Sequence, residues 1–302
     1  MRFELENVVQ LLRKNDAASL DQALTLLQGT VFSFSMKVCG QKQDAEDTAQ
    51  EVLLQSLRKL PQFDSPRALV VWLYKVAKTR CLMSRRKSKF APKQALSLEE
   101  LMPDKTDLQK FSNSPTDTPE TSLLRRERAK RLRETIQKLP PEYRLVLVLR
   151  DMEELSDADV AEVMGLKSGT VRVRLHRARL FLRKELAKQD AVERMPARLL
   201  KSPAAPPARR EGRCKEMFAQ LSNYLDAQLD GSLCEELEKH MDGCEPCKAF
   251  LASLERTIEH CRTAPNEPLD AQTSAALRRA LLAEYQKVLS NSKARPATPR
   301  AD

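Results

Sequence analysis

The sequence is poor in glycine, in aromatic residues and in long apolar runs. Of its 302 residues seven are glycine and one is tryptophan, and aromatic residues make up only 5%. Strands and their turns depend on aromatic, β-branched and glycine residues, so this composition disfavours sheets and predicts an all-α fold. The longest apolar run, residues 68–74, is far shorter than the roughly 20 residues that a membrane-spanning helix needs.

The N-terminus also lacks a secretory signal. Residues 1–16 mix charged and apolar side chains without the apolar core and small-residue cleavage site of a signal peptide. The seven cysteines are an odd set, and four of them crowd toward one segment, which indicates reduced thiols rather than a disulfide framework. We therefore expect a cytoplasmic protein with no membrane partner.

Proline divides the chain into modules. The segments 92–119, 196–207 and 264–299 hold four prolines each and are rich in small and polar residues, as is typical of linkers and tails. The sequence thus predicts two helical modules and a small helical domain joined by flexible linkers, with an amphipathic helix in the tail. The predicted boundaries are 1–89 and 122–188 for the modules, 213–262 for the small domain, 90–121 and 189–212 for the linkers, 263–302 for the tail and 275–289 for its helix.

A helix-turn-helix motif is indicated in the second module. Ser156 followed by Asp159 predicts a capped helix over Asp157–Met164, and Gly165 can end that helix in the left-handed conformation. Ser168 then offers the N-cap of a second helix. Two helices joined by a short turn with glycine form the motif that places its second helix in the major groove of DNA.

The second helix of this motif separates into an apolar and a basic stripe at 100° per residue. The apolar stripe, which we expect to face the core, comprises Val171, Leu175, Ala178 and Leu182. The basic stripe comprises Arg172, His176, Arg179 and Arg183, with Val173 and Arg177 beside it. Together with the net charge of +10, this one-sided distribution predicts a DNA-binding helix, with the earlier side chains at base edges and the later ones at phosphates.

The string LPPEYRLVLVLRDMEELSDADVAEVMGLKSGTVRVRLHRAR resembles region 4 of the extracytoplasmic-function (ECF) sigma factors, which reads the −35 promoter element. The specific part of the resemblance is GTVRVRLHRAR. It implies that the side chains facing the −35 element are those of Arg172, Val173, His176 and Arg177. We expect Arg179, later in the same helix, to bind phosphate.

Residues 44–89 are similar to sigma region 2, in the expected order and spacing. This resemblance implies that an acidic helix face docks on core RNA polymerase, through Asp44, Glu46, Asp47, Gln50 and Glu51. It also implies that the segment after Trp72 grips the −10 element, with phosphate contacts from Arg85, Arg86 and Lys87. The family commonly has Asn and Asp where this chain has Thr79 and Met83, which leaves the −10 preference open.

A compact set of soft metal ligands lies in EKHMDGCEPCKAF, residues 238–250, after a helix that we expect Ser232 to cap. His240, Cys244 and Cys247 follow the pattern H-x3-C-x2-C, and tetrahedral Zn²⁺ requires a fourth nitrogen or sulfur ligand. The candidates for it are Cys214, Cys234, His260 and Cys261. The segment from Cys214 to about residue 260 is similar to zinc-binding anti-sigma domains, and this resemblance favours Cys214 as a ligand of one structural or regulatory Zn²⁺.

These features predict a sigma factor that directs promoter-specific transcription initiation, with core RNA polymerase and promoter DNA as its partners. The three histidines lie in no nucleophilic or acid–base arrangement, so we do not expect an enzyme. The segment 214–261 has a net charge of −6, opposite to that of the DNA-facing helix, which favours docking of the zinc domain on the sigma modules in cis. The alternative is a helix-turn-helix regulator that does not join polymerase and whose zinc domain is purely structural.

Overall fold

The structure, a computed structural model, describes residues 2–14, 16–57, 59, 63, 65–86, 96–102, 122–193 and 211–293. Every regular element in these ranges is helical, which confirms the predicted all-α fold. None of the helices in the described ranges is both long enough and apolar enough to cross a membrane. In chain order the helices are α1 (Arg2–Arg13), α2 (Ala17–Cys39), α3 (Lys42–Leu57), α4 (Pro66–Arg86), α5 (Leu98–Leu101), α6 (Ser122–Lys138), α7 (Pro141–Leu147, continued by a π-helical turn, Val148–Met152), α8 (Asp157–Met164), α9 (Ser168–Glu193), α10 (Glu211–Leu225), α11 (Gly231–Asp242), α12 (Glu245–Arg262) and α13 (Ala271–Lys293).

The helices belong to two compact units whose limits differ from the predicted module boundaries. The first unit draws on residues 1–91, 153–166 and 266–302, and the second on residues 92–152 and 167–265. Helix α8 is therefore part of the first unit, with α1–α4 and α13, although the sequence groups it with α9 in one module.

In the first unit, α2, α3 and α4 pack around fully buried apolar side chains such as Phe34, Leu53 and Leu69. The tail helix that the sequence predicts is α13, which is longer than expected and packs on α2 and α3. The Gln28 side-chain amide donates a hydrogen bond to the Ser274 carbonyl at 3.1 Å, and Leu281 is fully buried. The tail therefore contributes to the core of this unit.

One expectation about the cysteines is wrong. Cys39 and Cys81 are joined by a disulfide, with their Cα atoms 5.6 Å apart, whereas the composition indicated reduced thiols. Both side chains are buried, because the last residue of α2 and the second half of α4 meet in the core of the first unit. A sequence separation of 42 residues gives no sign of this pairing. Among the other described cysteine side chains, those of Cys234, Cys244, Cys247 and Cys261 form no disulfide.

The structure confirms the predicted ends of α8 and corrects the predicted cap of α11. Ser156 caps α8 by accepting a hydrogen bond from the Asp159 amide at 3.1 Å, and Gly165 ends the helix in the left-handed conformation with φ of 69°. The expected cap of α11 is wrong by two residues: the carboxylate of Asp230 accepts from the Leu233 amide at 3.0 Å, and Ser232 donates its hydroxyl to that carboxylate instead. A carboxylate at this position also suits the positive end of the helix dipole.

Candidate nucleic-acid interface and metal site

Helix α9 contains the predicted DNA-contacting residues, and its apolar face lies where the periodicity places it. Val171, Leu175, Ala178 and Leu182 are all fully or almost fully buried. This confirms the predicted core stripe and fixes the rotation of the helix about its own axis.

The predicted DNA-contacting residues of α9 divide into two groups. Arg172 is exposed, Val173 is 51% exposed, and Arg177 is half-buried. His176 and Arg179, by contrast, are only 7% and 0% exposed. The proposed phosphate contacts of the other module lie outside the described part of the chain, since the structure describes neither Lys87 nor the side chains of Arg85 and Arg86.

Arg179 is buried because two carboxylates surround its guanidinium. Its Nε and Nη2 donate to the two oxygens of Asp151 at 2.8 and 2.6 Å. Its Nη1 and Nη2 donate to the two oxygens of Asp226, beyond the end of α10, at 2.7 and 3.0 Å. Burial acts to lower the pKa of Arg179, but the carboxylates of Asp151 and Asp226 outweigh it and raise the pKa. The guanidinium therefore stays charged between two bidentate partners.

His176 lies one turn earlier on the same face and is covered by α10. Its Nδ1 is 2.9 Å from the Ser222 hydroxyl, and its Nε2 has no hydrogen-bond partner in the described part of the chain. Burial, together with the positive charges of Arg179 and Arg177, lowers the pKa of His176 to about 4. The imidazole is therefore neutral at physiological pH, where an exposed histidine would be partly protonated.

Apolar contacts extend this interface along α9. Leu180 is buried in one cluster with Phe218 of α10 and Phe250 of α12. The Arg183 guanidinium lies over the Phe250 ring, 4.1 Å from its centroid. The covered positions 176, 179, 180 and 183 are spaced as one helical face, so α10 and α12 pack along a single side of the predicted recognition helix.

The sequence does not single out the residues that cover this side of α9. Ser222 lies in α10, Asp226 lies just beyond its end and Asp151 lies in the π-helical turn, and no motif marks these three residues. The only signal is the acidic balance of residues 214–261, which indicates a basic partner without indicating which acid meets which base.

The predicted zinc ligands come together at the junction of α11 and α12. His240 lies in the last turn of α11, Cys244 caps α12, and Cys247 lies in the first turn of α12. The Cys247 sulfur is 3.3 Å from His240 Nε2 and 3.3 Å from the Cys244 sulfur, and the three ligand atoms lie within 4.8 Å of one another. Sulfur–zinc bonds of about 2.3 Å in a tetrahedron give ligand separations of this size, so the donor set fits Zn²⁺.

The other candidate ligands take different positions. Cys214 lies in α10, but its side chain is outside the described part of the structure. Cys234, Cys261 and His260 are absent from the metal-ligand groups of the described residues. Cys261 is fully buried, and burial followed by the charge of Asp151 raises the pKa of its thiol, so it is a neutral core residue.

The acidic face that was predicted to meet polymerase lies on α3. Asp47, Gln50 and Glu51 are exposed, whereas Asp44 and Glu46 are half-buried. Glu51 pairs with Arg80 of α4 at 2.6 Å, and Lys42 pairs both with Glu46 at 3.7 Å and with Asp270, just before α13, at 3.2 Å. The described structure thus leaves most of this face accessible while it covers His176 and Arg179.

Known families match three parts of the chain. The family described as Sigma-70 region 2 matches residues 24–90, and the one described as Sigma-70, region 4 matches residues 129–182. A family described as a putative zinc-finger matches residues 214–248, a range that starts at Cys214 and includes the three clustered ligands.

The following three relatives each match between half and about three-fifths of the chain. The ECF RNA polymerase sigma factor SigW of Bacillus subtilis is 28% identical over 188 residues, which are 62% of this chain and 98% of the relative. The RNA polymerase sigma-H factor of Pseudomonas aeruginosa is 29% identical over 60% of this chain and 93% of its own length. The RNA polymerase sigma factor YlaC of Bacillus subtilis is 31% identical over 51% of this chain and 83% of its own length.

Proposed function

The chain belongs to the ECF sigma factors of the sigma-70 family, and from this membership we propose an initiation factor whose recognition helix is closed in cis by α10–α12. Its sigma regions 2 and 4 support promoter-specific transcription initiation with core RNA polymerase. On this proposal the chain acts in the cytoplasm and works by binding rather than as an enzyme. The observation that carries the closure is the burial of Arg179 between Asp151 and Asp226.

Closure follows from the size of the DNA groove. A recognition helix lies in a major groove about 12 Å wide, and phosphates flank it on both sides. Arg172 is exposed, but His176, one turn of about 5.4 Å along the same stripe, is covered by α10. A duplex that contacts Arg172 would therefore collide with α10 at His176 and Arg179. Reading of the −35 element requires α10 to leave.

The electrostatics of the interface favour the same interpretation. Residues 214–261 carry a net charge of −6, and Asp226 takes the place beside Arg179 that a phosphate would take. A carboxylate and a phosphate both accept bidentate hydrogen bonds from a guanidinium. The C-terminal helices thus satisfy the basic helix with the kind of group that DNA would present.

We assign to this region one Zn²⁺, held by His240, Cys244 and Cys247 with Cys214 as the fourth ligand. When bound, the ion would cross-link the start of α10 to the α11–α12 junction and stabilise the fold of the small domain. The side chains that contact α9, Ser222 and Asp226, follow Cys214 on or just beyond α10. The zinc site would therefore support the surface that covers the recognition helix.

The direct test compares the full chain with residues 1–190. Fluorescence anisotropy with a −35 duplex should show tighter binding by the truncated chain, and run-off transcription with core polymerase should show higher output. Binding to core polymerase should change less, because Asp47, Gln50 and Glu51 are exposed in the full chain. The −35 affinity is the deciding measurement, because the truncation also removes α13, which packs on α2 and α3. Equal −35 affinities for the two chains would rule out closure.

A further inference from the structure

The segment 153–166, which includes α8, lies within the region 4 match yet packs into the unit that contains region 2. Its first residue, Glu153, has a fully buried side chain. One oxygen of this carboxylate accepts from Lys37 Nζ at 2.8 Å, and the other accepts from the Tyr74 hydroxyl at 2.7 Å. Lys37 lies on α2 and Tyr74 on α4, so region 2 supplies both partners.

We call residues 153–166 the docked segment. Basic side chains of α4 contact the part of it that follows Glu153. Arg67 donates to Asp159 at 2.6 Å and to Glu162 at 3.0 Å. Lys75 also donates to Glu162, at 3.2 Å, while Lys78 Nζ donates to the Val163 carbonyl at 2.6 Å. Three basic residues on one helix thus share two carboxylates and a helix C-terminal carbonyl, which is the arrangement expected of an anion-binding surface with its ligand in place.

The buried pair makes this contact specific. A carboxylate that is taken out of water without a partner is costly, so Glu153 is stable at this place only while Lys37 and Tyr74 face it. The exposed pairs of Arg67 and Lys75 add little free energy on their own, but they set the orientation of α8 on α4.

This docking is incompatible with reading both promoter elements at once. The −10 and −35 elements are named for positions 25 base pairs apart, which at 3.4 Å per base pair is about 85 Å. Only three residues, which span at most about 11 Å, separate α8 from the recognition helix α9. If region 2 is at the −10 element, the docked segment must leave it before α9 can reach the −35 element.

We propose that the docked segment is an internal ligand of region 2, held by Glu153 and by the basic residues of α4, and that its release is a second step required for promoter binding. The proposal rests on the proposed function insofar as it takes the chain to be a sigma factor. It is independent of closure by α10–α12, because every contact of the docked segment named above lies outside residues 211–265.

Zero-length cross-linking of the full chain tests the contact. A carbodiimide should join Lys75 to Glu162, whose side chains are both partly exposed, in the free protein. Lys138 of α6 and Glu185 of α9 are 3.7 Å apart and serve as the control pair, since both helices belong to the second unit. On addition of core polymerase and promoter DNA, the Lys75–Glu162 yield should fall about tenfold while the control yield is kept. Equal retention of both cross-links, or no Lys75–Glu162 product in the free chain, would overturn the proposal.

Two full-length variants test the consequence. Glu153→Gln removes the charge that Lys37 neutralises but keeps the size of the side chain, and it should raise promoter output and reduce the Lys75–Glu162 cross-link. Glu154→Gln, at the exposed neighbouring position, should change neither. Should Glu153→Gln fold poorly, the exposed Glu162→Lys places like charges together at Arg67 and Lys75 and should raise output and lower the sedimentation coefficient. The second step is wrong if Glu153→Gln and Glu162→Lys leave output unchanged, as Glu154→Gln is expected to do. Closure by α10–α12 still stands in that case if Asp226→Asn raises output.

Discussion

Asp226→Asn in the full chain is the sharpest perturbation of closure. Asp226 makes two charge-assisted hydrogen bonds to Arg179 at 2.7 and 3.0 Å, and the amide can keep one of them without the charge. Hydrogen bonds to charged groups contribute about 1.5–3 kcal/mol each, and Asp151 still neutralises Arg179 in the variant. The expected loss is therefore about 2 kcal/mol, which is below the cost of leaving a buried charge wholly unpaired.

A loss of about 2 kcal/mol corresponds to a shift of about 30-fold in the ratio of open to closed chains. Fluorescence anisotropy with a −35 duplex should show this as tighter binding by Asp226→Asn, up to the affinity of residues 1–190. Asp242→Asn removes the same charge from an exposed position at the end of α11 and is the matched control. If the two variants bind alike, net charge rather than the Arg179 contact governs binding, and the reasoning from the buried pair fails.

Four further predictions concern single sites. Cys244→Ser should lose the bound zinc and Cys234→Ser should keep it, as measured by metal analysis, because only Cys244 belongs to the ligand cluster. Closure should weaken about tenfold as pH falls from 7.5 to 5.5. The pKa of His176 is about 4 in the closed chain and about 6.5 when the side chain is exposed, so only the open chain gains a proton in this range. His176→Gln should remove this pH dependence of −35 binding. Reduction of the Cys39–Cys81 disulfide, which closes a separation of 42 residues, should lower the unfolding free energy by up to about 4 kcal/mol in guanidinium titrations, with Cys39→Ser insensitive to reductant. Arg172→Ala should weaken −35 binding by about 1–3 kcal/mol in the 1–190 chain, whereas Arg174→Ala, whose guanidinium pairs with Glu142 at 2.6 Å, should have little effect.

Local signals explain what the sequence could predict. The cap at Ser156, the left-handed Gly165 and the apolar stripe of α9 all depend on residues a few positions apart, and the structure bears them out. The cluster of candidate metal ligands was predictable for the same reason, because His240, Cys244 and Cys247 lie within eight residues. Spacing alone brings such side chains together on a helix end.

Contacts between distant segments explain what the sequence could not predict. On an isolated α9, Arg179 belongs to a basic stripe and suggests a phosphate contact, whereas Asp226, 47 residues later, is the group that meets it. Glu153 belongs to no sequence motif, but it is buried against Lys37, 116 residues earlier. Buried ion pairs of this kind leave no periodic pattern, because the two partners are charged residues in distant segments and neither segment alone indicates the other.

The two carboxylates around Arg179 would also make the proposed closure reversible. Asp151 belongs to region 4 and occupies the Nε–Nη2 edge of the guanidinium, while Asp226 occupies the Nη1–Nη2 edge. When α10 leaves, Asp151 remains, so the open chain contains no unpaired buried charge and the free-energy difference between the two states stays small. The edge that Asp226 vacates is then the one available to a phosphate oxygen. The proposed phosphate contact of Arg179 and its burial in this structure are thus two uses of the same guanidinium, with Asp226 and DNA competing for one edge.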